Sequence, residues 1–364
     1  MCRTHMDPIK VMILFGALSI ADGIQLGGAR LNGSSDACSA SPCSPCATRS
    51  SSEKCRWKFQ RYIPSELEQK WWKVAEEVGA NPCLAMRTTF AKDFAKYKAA
   101  IADGQMAKDE LLPEDTCQCE SGSAPQRLDP TVFSRYEYEN ECTSEVAVSY
   151  IEPLAGVLRH PGLCEDFGAT VLRKDWLVVD QWTLHKDWHP EARFFYFDAG
   201  ASTWSDGLGG ASQAWFDNVY FNKCAPFQGY WLWEVQDENP TQVFAEVPAR
   251  AKPNYHWYNI PASDNKESAD SPLYHIRSVA RPDDYVVLKV DIDNNAVEEG
   301  LVSGLLHDPE LLSLIDEFYW EHHINMPPMA KIWGNQISRT RNQKDSIEMF
   351  RSLREAGVRA HSWV

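Results

Sequence analysis

The chain has 364 residues, 44% of them hydrophobic, and includes 14 Trp, which is enough apolar surface for a large core and excludes a globally disordered polymer. The length suits one large domain with an appended smaller one. A formal charge of −15 excludes nucleic acid as the main partner, because a phosphate backbone requires a basic face.

In chain order, Lys10 precedes an apolar run, residues 11–21, the length of a signal-peptide core and shorter than a membrane span. Ser19 and Ala21 supply small residues for a cut after Ala21, and Asn32-Gly33-Ser34 offers a glycosylation acceptor. This pattern predicts entry into the secretory pathway, to the ER or Golgi lumen or the exterior. An uncleaved anchor, tethering the chain to a membrane through residues 11–21, and a plastid presequence are the alternatives. Eleven cysteines are present, nine of them within the first 142 residues. Such a cysteine-dense front end predicts disulfides in an oxidising compartment. Cys38, Cys43 and Cys46 lack the paired spacing of a zinc ribbon.

Residues 22–56 are rich in Gly, Ser, Ala, Pro and Cys and predict a linker. Residues 57–143 predict a helical, disulfide-containing region. Ser65 with Glu68 three residues on gives a capping box, and Trp71, Trp72, Ala75 and Val78 follow at helical spacing. A second amphipathic run covers residues 88–101, and residues 110–135 predict a polar loop. A helix is predicted over 144–158 and a strand over 176–180.

From residue 193 apolar runs alternate with helical segments. Strands are predicted at 193–200, 230–235, 255–260, 285–293, 317–323 and 358–364, with helices at 211–221, 241–245, 297–306 and 346–356. Continuous apolar strands suit a sheet buried on both faces. The alternation predicts an α/β fold over 144–364: a doubly wound, mostly parallel, Rossmann-like sheet behind an N-terminal helical, Cys-rich extension. Ligands of such sheets lie beyond the carboxyl ends of the strands, so Asp198, Glu234, Asp264, Asp291, Asp293, Glu321, His322 and His323 are expected along one rim.

Several of these positions form ordered motifs. Asp198-Ala-Gly200-Ala201-Ser202 ends the first strand, Trp233-Glu234-Val235 the second, and residues 259–264 follow the third. Leu288-Lys-Val-Asp291-Ile-Asp293 and Glu321-His322 end the next two. In this order, over residues 190–330, they resemble the FkbM-type S-adenosylmethionine-dependent methyltransferases. The resemblance implies a methyltransferase-like fold and S-adenosylmethionine as cofactor, bound by Asp198, Gly200, Ala201, Ser202, Glu234 and Asp264. It places Glu234 on the ribose hydroxyls. Ser202 and Trp204 stand where the general methyltransferase loop has its second and third glycines.

The function expected is O-methylation of a hydroxyl on a sugar, glycolipid or small metabolite, with no nucleic-acid partner. His322 or His323 is the expected base, and Asp291, Asp293 and Glu321 orient the substrate. Successive strand side chains alternate in direction, so one of the two histidines at most enters the cleft. Asp291 and Asp293, two apart, share a face. They are also the Asp-x-Asp of a metal-dependent lumenal glycosyltransferase, where a divalent metal is held against a diphosphate. No metal is assigned under the first reading. A third reading is a secreted binding protein without catalysis.

Overall fold

The computed structural model describes residues 55–104, 125–186, 192–205 and 212–364. The apolar run 11–21, Asn32, the cysteines before Cys55, Cys117, Cys119 and the loop 206–210 lie outside these residues. No described helix is long and apolar enough to cross a membrane.

Two sheets organise the chain. The first is antiparallel, in the order β1-β2-β3, with β1 at Trp57–Ile63, β2 at Ser134–Asn140 and β3 at Val146–Ile151. The second has six strands, all parallel: β4 (Phe194–Ala199), β5 (Gly229–Trp233), β6 (Tyr255–Tyr258), β7 (Tyr285–Val290), β8 (Glu317–Trp320) and β9 (Arg359–Ser362). Their order is β6-β5-β4-β7-β8-β9, with helices between successive strands, so the fold is the Rossmann-like α/β arrangement expected. The order reverses between β4 and β7, and ligand crevices of doubly wound sheets open at that point. β4, β5 and β7 are buried along their whole lengths, which is why their sequences read as unbroken apolar runs.

The front of the chain differs from the sequence expectation. β1 and β2 lie within the region 57–143 read as helical, and β3 replaces the helix predicted over 144–158. The reason lies in Val146-Ala-Val-Ser-Tyr-Ile151: its β-branched residues pair with β2, and Ser149 and Ile151 are buried. The boundary expected at 143/144 falls in the β2–β3 turn. Residues 176–180 form no strand. Leu177, Val178 and Val179 are buried without a ladder, and Val178 bonds side chains instead: its N–H donates to Glu152 (3.0 Å) and its carbonyl accepts from Arg359 (2.9 Å).

The helix Glu66–Val78 forms as predicted, and the Ser65 hydroxyl accepts the Glu68 N–H at 3.0 Å. Glu68 does not return to complete a capping box. It is buried, and its carboxylate accepts from Tyr62 (2.7 Å), Ser134 (2.7 Å) and the Leu154 N–H (2.9 Å).

One continuous core runs from Leu67 and Trp71 to Phe350 and Trp363, and the antiparallel sheet adds a smaller cluster of its own, Tyr62, Tyr136, Tyr138 and Ile151. The antiparallel part covers the free edge of β9, where an exposed strand would otherwise invite association. Six charged or hydroxyl side chains from distant parts of the chain meet there. Arg359 reaches Ser149 (2.9 Å), the Tyr150 carbonyl (3.0 Å) and Glu317 (3.2 Å). His361 lies 2.8 Å from Glu152, and Arg354 lies 3.2 Å from the same carboxylate. All five described cysteines are disulfide-bonded, with Cys55 joined to Cys142 and Cys83 to Cys164, which fits an oxidising compartment.

Candidate metal centre at the ends of two parallel strands

The crevice begins with a buried lysine. Lys289, near the end of β7, places its ammonium 2.9 Å from Asp198, 3.2 Å from Asp291 and 2.9 Å from the Gly200 carbonyl. Burial opposes its charge, but Asp198 and Asp291 overcome that and hold the ammonium form well above the usual lysine range. The other oxygen of Asp198 accepts the Tyr196 hydroxyl at 2.6 Å. Asp198 is fully buried and satisfied from within, so its place is that of a counter-ion under the turn rather than a surface for a cofactor.

Gly200 has φ +87, and a Cβ there would stand 1.6 Å from the Asp291 carbonyl oxygen. The glycine is required because the loops after β4 and β7 touch at this point. Ala201 is buried, and its carbonyl accepts from Gln213 at 2.8 Å. Ser202, at φ +51, donates its N–H to Glu234 (2.8 Å), whose other oxygen accepts the Gln236 N–H (2.7 Å). Each Glu234 oxygen therefore keeps a lone pair. Beside it, Val235 is 60% exposed and Ile260, past the end of β6, 37% exposed. Trp204 is 6% exposed and packs against Tyr230 and Tyr255, so it folds beneath the turn. Asp264 is exposed and lies against Gly300 of the helix Asn295–Leu306, where a Cβ would meet its carboxylate at 2.4 Å.

A second group forms one strand further along. The parallel register pairs Val290 with Trp320, and the Glu321 N–H continues it by donating to the Val290 carbonyl at 3.1 Å. Asp291 and Asp293 thus leave β7 beside Glu321 and His323 leaving β8. Alternation at a spacing of two keeps all four on one side. One ligating atom from each lies within 4.8 Å of all the others. The imidazole Nε2 of His323 is 3.0 Å from Glu321 and 3.6 Å from Asp293. Arg159, from the loop after β3, ion-pairs Glu321 at 2.6 Å, and the Trp333 indole donates to the same oxygen at 3.2 Å.

The electrostatics mark this group as acid against acid. Burial and the facing Glu321 carboxylate raise Asp291 well above the carboxylate range. Burial also works against the charge of Glu321, but Arg159 and His323 hold its carboxyl well below that range. Behind them Glu298 is pushed up to about 7, chiefly by burial, and it props the loop by accepting the Ile292 N–H at 3.0 Å. Three carboxylates and an imidazole suit Mg²⁺, Mn²⁺ or Zn²⁺. One atom from each of the four lies within 4.8 Å of the others, so these residues would be the ones to hold such an ion.

His322 is not part of the group. It stacks on Trp320 at 3.9 Å and places Nδ1 3.0 Å from the Ser346 hydroxyl, because adjacent residues of an extended chain face opposite ways. Of the expected catalytic residues, Asp291, Asp293, Glu321 and His323 come together. Of the expected cofactor residues, Gly200, Ala201, Ser202 and Glu234 form one hydrogen-bonded turn, and Asp264 stands apart from it. Lys289 has no role in the sequence expectation, and the signal for it is the Lys-x-Asp spacing to Asp291. Arg159 and Trp333 carried none, since Arg159 meets Glu321 from 162 positions away.

Fold and geometry together define a doubly wound α/β protein with a carboxylate–histidine constellation beside the switch point. No family model, curated protein or solved structure matches the chain.

Proposed function

We propose that the protein is a divalent-cation-dependent O-methyltransferase that uses S-adenosylmethionine and acts on a hydroxyl of a small or glycan acceptor in the secretory lumen. The observation that carries this reading is the convergence of Asp291, Asp293, Glu321 and His323 beside the Gly200 turn. Those four side chains would hold the cation, whose contribution is to acidify a bound hydroxyl. Glu234, with a spare lone pair on each oxygen, suits a ribose diol, and exposed Val235 and Ile260 suit the faces of a purine. Asp198 and Lys289 hold the turn rigid from below.

The test is calorimetric titration of the full chain with S-adenosylmethionine, with and without Mn²⁺. Binding that Glu234→Gln weakens about tenfold or more supports the reading. Absence of binding under both conditions overturns it. A second reading has its own support: Asp291 and Asp293 both lie in the constellation, as a nucleotide-sugar glycosyltransferase requires. Mn²⁺-dependent binding of UDP-glucose, without S-adenosylmethionine binding, selects that reading. Silence towards both donors selects a non-catalytic binding protein.

A further inference from the structure

A cavity of about 360 Å³ lies on the segment that follows β8 and is lined by Asn325, Gly334, Asn335, Ile337, Ser338 and Arg339. Its backbone is locked to the candidate metal centre. The Ser338 N–H donates to the His323 carbonyl at 2.6 Å, and Trp333 bonds Glu321 while its ring lies 4.8 Å from the His323 ring. Asn325 follows His323 by two residues. The cavity wall and two of the four ligating side chains, Glu321 and His323, are therefore built on one stretch of chain.

The lining has a distinct chemistry. Asn325, Asn335 and Arg339 are exposed, and no internal hydrogen bond or ion pair engages their side chains among the described residues. Two amides present donors and acceptors together, which is what hydroxyl groups need. A guanidinium binds a carboxylate or phosphate through paired hydrogen bonds. Neighbouring Arg341 is by contrast already paired with Glu299 at 2.9 Å. Gly334, at φ +54 with no atom within 4 Å of a Cβ position, keeps the mouth open.

We infer that this cavity takes the acceptor, and that the acceptor is a hydroxyl-rich molecule carrying one anionic group: a sugar bearing a phosphate or a carboxylate. The anion pairs with Arg339, the amides of Asn325 and Asn335 hold ring hydroxyls, and a further hydroxyl is directed to the metal centre. This rests on the proposed function, since a cavity beside a constellation without a cation has no reaction to serve.

The experiment uses the full chain with Mn²⁺ and three probes: glucose 6-phosphate, glucuronate and glucose. Affinities are read by calorimetry for the wild type, Arg339→Gln and Asn335→Ala, and Mn²⁺ binding is read separately by electron paramagnetic resonance. The expected result is binding of one or both anionic sugars that Arg339→Gln weakens about tenfold or more, with Mn²⁺ binding unchanged. Preference for the phosphate or the carboxylate identifies the anion. Equal binding of anionic sugars by wild type and Arg339→Gln, or no binding of either, overturns the inference while leaving the metal reading standing if Mn²⁺ binds. Failure of Mn²⁺ to bind the wild type overturns the metal reading instead, and Arg339-dependent sugar binding then remains a separate finding. Arg339 is exposed and unbonded, so the thermal midpoint of its variant is expected to match the wild type.

Discussion

β8 carries a glutamate at its first position and another just past its last, and the two live in opposite surroundings. Glu317, at the amino end, lies against Arg359 and within reach of His361. Every acid of that buried network faces a cation, with Arg354 and His361 on Glu152. Glu321, at the carboxyl end, faces Asp291 and Asp293 as well as Arg159 and His323. The amino-end network is complete in itself and holds the antiparallel sheet against the β9 edge. The carboxyl-end group is left with acids crowding one another, a condition that a bound cation relieves. The same residue types thus serve cohesion at one end of a strand and chemistry at the other, and the polarity of the parallel sheet decides which.

The comparison breaks most sharply at Arg354. Arg354→Met leaves Glu68 and Glu152 buried without their guanidinium, and urea titration is expected to show a loss of about 3–5 kcal/mol or failure to fold. Asp291→Asn should do the reverse. It removes one of two facing acids, so stability is expected to hold, while Mn²⁺ binding read by paramagnetic resonance is lost. If the two variants destabilise equally, the contrast between the clusters is wrong. Gly200→Ala is next in size. The clash with the Asp291 carbonyl and the positive φ together are expected to cost about 3 kcal/mol in the same assay.

The pH response sharpens the picture. Burial alone would raise Glu152, yet His361 and Arg354 hold it down at about 2. Its folded value lies below its ordinary 4.5, so its contribution is complete above about 4.5 and is lost as pH falls towards 2. Burial would lower His361, but Glu152 and Glu317 raise it. That contribution is present below pH 6.5 and fades as pH rises through the raised value. Thermal midpoints between pH 2 and 5 are expected to fall in the wild type and to flatten in Glu152→Gln. The smallest effect separates the histidines: His323→Ala should weaken Mn²⁺ binding about tenfold, and His322→Ala should leave it unchanged.

Much of the parallel sheet was legible because burial on both faces imposes unbroken apolar strands, as in Phe194–Ala199 and Tyr285–Val290. The convergence of Asp-x-Asp with Glu-x-His was legible for a related reason. Spacing of two fixes a face, and adjacent parallel strands finish level. What escaped depends on distant partners. Residues 144–158 read as helix because Ala and Val serve both structures, and only pairing with β2 decides. The run 176–180 is apolar enough for a strand, yet Glu152 and Arg359 take the hydrogen bonds a ladder would have used. Glu68 fits a capping box until burial beside Tyr62 and Ser134 gives its carboxylate other donors. Arg159 belongs to the same class, since loop geometry and not local pattern brings it to Glu321.

The bridge from Cys83 to Cys164 gives that last arrangement a wider meaning. The stretch bearing Arg159 is clamped by the β3 pairing on one side and by the sulfur link on the other, so the guanidinium meets Glu321 on a tether of fixed length. A sulfur link that lies outside the cluster thus helps to fix where one of its positive charges stands.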